Sequence, residues 1–256
     1  QSQLRDSEDI FMLLESTSLD NARGIALDRI GIDEGVPRQT ERASSGLVTI
    51  TDTSFTKLSS KVFQGTPAPI AGSPSINVVD AAAFPATGSV YIGRGTNNYE
   101  GPLAYTAKVN NGTHWTLTLA ISDKTQRFHN LGEIVVVAQG GNRIISAGTL
   151  VQTPQGNVVA AVQFRVVYPA TLPDGEVEIT GILVASTKPG GIGNVIATAI
   201  NAFPSPPFTG AGVTNPTPFT NGLPTEIDDA YRERIRQARA SRTKGTPLAL
   251  QTFSIG

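Results

Sequence analysis

At Gly46 the apolar pattern takes up a period of two, and this change constrains the fold more than any other feature. "GLVTITDT" (46–53) alternates apolar and Thr side chains, the grammar of a strand with one buried face. Five further runs follow it closely: "SINVVD" (75–80), "GSVYIGR" (88–94), "LAYTAKV" (103–109), "HWTLTLA" (114–120) and "EIVVVAQ" (133–139). Turns rich in Gly, Asn and Pro separate them, notably "FPATG" (84–88), "GTNN" (95–98) and "NNGT" (110–113). Short strands at this spacing predict a small barrel or sandwich over residues 54–142.

The flanks read differently. "EDIFMLLES" (8–16) carries Ile10, Leu13 and Leu14 at helical spacing. "LDNARGIALDRIGID" (19–33) repeats the signal, with Ala22, Ile25, Ala26 and Ile30 on one face. Gly31, Gly35 and Pro37 are expected to end it. Beyond the small β unit, strands are expected in "RIISAGTLVQT" (143–153), "NVVAAVQFRVV" (157–167) and "EVEITGILVAST" (176–187), joined by the turns "PQG" (154–156) and "PDG" (173–175). "KPGGIGN" (188–194) reads as a loop, and "PSPPFTGAGVTNPTPFTNGLP" (204–224) as a long connection without regular structure, a length that often marks a binding or linking segment.

"PTEIDDAYRERIRQARASRTKG" (224–245) packs six basic residues into a chain of formal net charge -1. Thr225 and Asp228 have capping-box spacing, acids stand in the first turns, and arginines stand toward the end, which suits the helix dipole. Asp228 is expected to pair with Arg232 and Glu233 with Arg236. Ile227, Tyr231, Ile235 and Ala238 form a narrow apolar stripe. Acids at the helix N-terminus exclude a DNA-reading helix, and four acids against six bases leave too little charge for phosphate-driven affinity. The thin apolar face excludes a membrane-surface helix. The pattern predicts an amphipathic docking helix packed on its own domain or a partner. Its expected partner-interface residues are Tyr231, Arg232, Arg236 and Arg239, joined by Phe208 and Phe219 of the connection.

Composition narrows the function classes. Charged residues make up 16% of the chain, against roughly 25% in ordinary proteins, and 14 arginines outnumber 6 lysines, as at interfaces. There are no cysteines, so disulfides and cysteine-ligated metals are excluded. The longest apolar runs are strand-sized, so no membrane insertion is expected. The first residue, Gln1, and the close at "QTFSIG" read as a segment of a longer polypeptide.

No catalytic constellation emerges, and no cofactor or metal is expected. His114 and His129 lack metal-ligand spacing, no serine stands in a G-x-S-x-G elbow, and Ile196 occupies the third glycine position of a dinucleotide loop in "GGIGNV". The carboxylate pairs Asp33/Glu34, Asp228/Asp229 and Glu176/Glu178 read as solvated faces, and an enzyme is not expected. Exposed Tyr91, Tyr99 and Trp115 would favour binding of glycans; the alternative is that they fill a small core.

Five phrases in fixed order carry a resemblance: "ARGIALDRIGIDEGVPR" (22–38), "IISAGTLVQTPQG" (144–156), "GGIGNVIATAI" (190–200), "GVTNPTPFTNGLPTEIDDAYRERI" (212–235) and "GTPLAL" (245–250). Together they resemble the baseplate J-like family of contractile phage tails and related injection machines. Departures are Ser146, where the family has proline, Pro224, and the interruption over 54–142. The resemblance implies an α+β protein: an N-terminal helical segment (1–45), a discontinuous mixed α/β wedge core (46–53 and 143–256), and an inserted small all-β domain (54–142). It further implies a structural wedge component that grips a second wedge protein, a sheath-proximal one and another copy of itself, without nucleic acid. Such a component transmits the change that triggers sheath contraction, and resides in the virion tail after assembly in host cytoplasm. The alternative is a module for host-surface glycan or receptor binding, or for tail-fibre contact.

Overall fold

The computed structural model describes residues 18–63, 71–156 and 160–244, with the side chains of 243 and 244 left out. The stretches 8–16 and 245–250 named above lie outside the described residues. The chain divides into two compact units, one of residues 1–45, 186–195 and 219–256, the other of residues 46–185 and 196–218.

The second unit is built almost wholly of strands. Six form one antiparallel sheet: β2 (Ser59–Lys61), β7 (Ile134–Val137), β4 (Gly88–Ile92), β5 (Glu100–Asn110), β6 (Trp115–Leu119) and β3 (Ser75–Val78), in that order. The first and last strands then meet, because Val79 N–H donates to Lys61 O at 2.9 Å and Phe63 N–H to Asn77 O at 2.8 Å. The sheet therefore closes into a barrel, which removes exposed strand edges. Alternate residues point inward: Ile76, Val78, Val90, Ile92, Leu103, Tyr105, Leu117, Leu119, Val135 and Val137 share one buried core.

Each of the five expected runs supplies a strand of this barrel. β2 was not legible, since Ser59–Ser60–Lys61 has no apolar alternation and is a strand only through its pairing with Ile134–Val136. Trp115 packs against the core, and Tyr99 stacks on Tyr91 with ring centroids 6.3 Å apart.

A five-stranded sheet has the order β13 (Ala211–Thr214), β1 (Ser45–Asp52), β12 (Glu178–Ser186), β10 (Gln163–Val166), β9 (Leu150–Gln152). A two-stranded sheet pairs β8 (Arg143–Ile145) with β11 (Ala170–Leu172). The stretch 143–153, where strands were expected, holds two, β8 and β9, in different sheets and separated where Gly148 takes φ 87°. The proline-rich connection is also corrected: it contains β13, paired antiparallel with β1 through Thr49↔Thr214 and Asp52↔Ala211.

The expected mixed α/β core gives way to a mostly β architecture. Among the described residues only a short 3-10 turn at Gly191–Gly193 interrupts the strands between β1 and β13, and no helix supplies a crossover.

The first unit holds both described helices, α1 (Gly24–Asp33) and α2 (Asp228–Lys244). α1 closes with Gly35 at φ 66°, while Gly35 N–H donates to Ile32 O and Val36 N–H to Gly31 O, a Schellman end. Gly31 therefore lies inside the helix rather than ending it. The buried face is Leu27 and Gly31, with Ala26 and Ile30 partly buried and Ile25 largely exposed. Apolar residues surround this short helix, so its period alone does not select a face.

Candidate partner-binding surface

α2 is where sequence pattern points to docking, and its side chains have definite destinations. Tyr231 and Ile235 are fully buried with Ala22 and Leu27 of the same unit, and the Tyr231 hydroxyl donates to Val36 O at 2.8 Å. Ile227 lies outside the stripe, largely exposed. The helix begins at Asp228, so Thr225 does not cap it. Asp228 instead accepts from Gly24 N–H at 3.0 Å and from Arg38 at 2.6 Å. Those two partners, the amide first and the guanidinium second, hold its carboxyl below the usual range.

Arg38 is the cation that sequence reading missed. It reaches Asp28 at 2.6 Å, Asp228 at 2.6 Å and Glu226 O at 2.7 Å, and its guanidinium lies 4.6 Å from the centre of the Tyr231 ring. Arg234 also stacks on Tyr231, at 5.2 Å, and pairs with Glu226 at 2.6 Å. The Arg234 bond is the main cause holding Glu226 below the ordinary carboxylate range. The only sequence cue to Arg38 was its place at the end of the "GVPR" turn.

The expected interface residues separate into two groups. Arg232 is buried, with Nε to Leu19 O at 2.9 Å, Nη2 to Ala22 O at 2.8 Å and Nη1 to Asp229 at 2.6 Å. Arg232 thus pairs with Asp229 rather than Asp228, and it and Tyr231 are spent on the unit's own packing. Phe219 is buried in the same unit, bridged to Val195. Arg236 and Arg239 remain about half exposed. Arg236 pairs with Asp20 at 2.6 Å and with Glu233 at 3.4 Å, and Arg239 with Glu34 at 2.8 Å. Arg242 joins them on Glu34 at 3.0 Å. Phe208, in the other unit, is half-buried.

A second arrangement joins the barrel to the sheets within its unit. The chain leaves at Asp52 and returns at Arg143, and these two form an ion pair of 3.0 Å with the Asp52 side chain fully buried. Burial works to raise the Asp52 carboxyl, but hydrogen bonds from the Ser54 hydroxyl and amide, then Arg143, hold it below its ordinary value. The "PDG" turn docks on the barrel. Asp174 Oδ1 accepts from Gln139 N–H at 2.6 Å and Gly141 N–H at 3.1 Å, and Oδ2 from the Tyr91 hydroxyl at 3.2 Å. Glu176 takes Lys57 at 2.6 Å and Arg94 at 3.4 Å.

Of the carboxylate pairs, Glu34 is engaged by Arg239 and Arg242, Asp228 by Arg38, Asp229 by Arg232, and Glu176 by Lys57 and Arg94. Among the described residues no group of three or more His, Asp and Glu side chains could hold a metal ion, and no helix is long and apolar enough to cross a membrane.

Residues 133–222 match the family model described as the Baseplate J-like protein barrel domain. That span runs from the start of the last barrel strand through β13 to the loop before α2. Comparison with curated proteins returned no match.

Proposed function

We propose that this chain, a phage tail baseplate component carrying a baseplate J-like barrel domain, acts as a wedge protein that holds neighbouring baseplate proteins and passes on the change that triggers sheath contraction. The domain belongs to a structural family of phage tails, and the match over 133–222 is the observation that carries the reading. The internal chemistry supports it. Several cations are committed to internal contacts: Arg38 and Arg232 brace α1 against α2, Arg94 and Lys57 hold Glu176 beside the barrel, and Arg143 ties β8 to Asp52 of β1.

The contacts proposed for partners are the outward arginines Arg236 and Arg239, with Phe208 on the other unit. Their companions are a second wedge protein, a sheath-proximal protein and a further copy of this chain. Loss of this protein from particles purified from its host, tested by mass spectrometry, decides the matter. The reading expects it in stoichiometric amount in the tail fraction, and its absence there overturns the proposal.

A further inference from the structure

The connection from β6 to β7 crosses the barrel surface between Ala120 and Glu133, and two of its side chains, Thr125 and His129, turn inward and are buried. His129 has no exposed side-chain surface; it places Nε2 2.9 Å from Glu100 Oε2 and Nδ1 2.9 Å from Glu133 Oε2. A neutral imidazole has one N–H and one lone pair, so it donates to only one of these carboxylates. Two such contacts at once require one proton beyond those of a neutral ring and two carboxylates. Without it, a lone pair faces a carboxylate oxygen in a site shielded from water.

The surrounding groups leave no other source of positive charge. Glu100 also accepts the Gln126 and Arg127 amides, and Glu133 Oε1 accepts Asn98 Nδ2 at 2.9 Å and Asn130 Nδ2 at 3.2 Å. The charged neighbours point elsewhere: the Arg127 guanidinium to Asn97 O, Asp123 to Ala104 N–H at 2.9 Å, Arg94 to Asp174 and Glu176, and Lys124 to solvent. Among the described residues His129 is the only basic side chain that pairs with either carboxylate. Burial alone would raise the Glu133 carboxyl, but bonds from Asn98 and His129 bring it below its usual range.

We infer that His129, Glu100 and Glu133 hold one proton in common, and that this proton latches residues 124–133 onto the barrel. Phe128 and Leu131, both more than half exposed, flank His129 in this segment, so the latch governs how that apolar pair is presented. Above about pH 6.5 a free histidine is already neutral, so closing the latch takes up a proton and protection falls as pH rises.

Nitrogen-15 spectra of the ring in the full chain read the proton directly, with His114 as internal comparison. Both ring nitrogens of His129 are expected to carry protons while the segment is held on the barrel. Hydrogen exchange over 124–133, corrected for intrinsic pH dependence, is expected to quicken about tenfold between about pH 6.5 and 9. In Glu133→Gln, whose amide can donate to a bare ring nitrogen, the quickening is expected to shrink below about twofold. An exchange rate unchanged across that range in the native chain overturns the latch. So does a singly protonated ring at the lower pH beside two ionised carboxylates.

Discussion

The Tyr231 hydroxyl occupies the space that a Cβ on Gly31 would fill. One residue sits in the last turn of α1 and the other in the first turn of α2, and the hydroxyl reaches past Gly31 to the Val36 carbonyl. The absence of a side chain at position 31 is thus what lets the two helices meet. Gly31→Ala is expected to lower stability by about 1–3 kcal/mol through overpacking. Tyr231→Phe, which leaves the carbonyl without its donor, is expected to lose about 1 kcal/mol. Urea unfolding followed by helical circular dichroism checks both.

Arg232 and Arg236 stand one turn apart yet have different jobs. Removing the Arg232 guanidinium leaves the Leu19 and Ala22 carbonyls without their donor. Arg232→Ala is therefore expected to cost about 2–3 kcal/mol in the same assay. Arg236 is screened by solvent at a half-exposed pair, so Arg236→Ala is expected to leave the unfolding midpoint nearly unchanged. Equal losses for the two would refute this division.

How much of this was legible beforehand depends on the range of the contacts. The barrel strands could be read because alternation is local: Val90, Ile92, Val135 and Val137 announce their inward face two residues at a time. β2 and β13 could not, since each exists through a distant partner, Ile134–Val136 and Thr49–Asp52 respectively. The mostly β balance of the fold was hidden for a related reason, because helical and strand segments are legible singly while their separation into different units is not. At the docking helix, the i,i+3 pair Glu233–Arg236 was legible. The long-range partners of Arg232 and Arg38 were not, and they decide which arginines face outward.

Acid should loosen the helix pair. The carboxyls of Glu226 and Asp228 lie below their ordinary values, held by Arg234 and by Gly24 N–H with Arg38. A carboxyl lowered in the folded chain contributes stability that is complete above its unfolded value and is lost as pH falls through its folded value. The contribution is thus full above about pH 4.5 and erodes below it. Hydrogen exchange at Gly24 and along the start of α2 is expected to quicken in that acid range. Unchanged protection down to about pH 3 would contradict the assignment.

Asp52, at the end of β1, and Arg143, at the start of β8, clamp the two sheets together where the chain leaves for the barrel and returns from it. Arg143→Ala leaves a buried carboxylate without its cation and is expected to cost about 3 kcal/mol or more. Asp52→Asn combined with Arg143→Met should recover part of that loss, because it removes both charges together. Denaturant midpoints of the single and double variants give the coupling.

Asp174 fastens the turn before β12 to the barrel through two amides and a tyrosine hydroxyl. Asp174→Ala is expected to raise exchange at Gln139 and Gly141 while amides within the barrel, such as those of β5 and β6, keep their protection. Loss of protection throughout the barrel would show instead that this turn is part of the barrel's own folding unit.

Cross-linking mass spectrometry on intact tails from the native host tests the central claim most directly. A chain that holds its neighbours in a baseplate is expected to form abundant links from Arg-rich α2, through its last residue Lys244, and from Lys188 to other baseplate proteins. Links confined to the chain itself, or its recovery only outside the particle, would contradict the account.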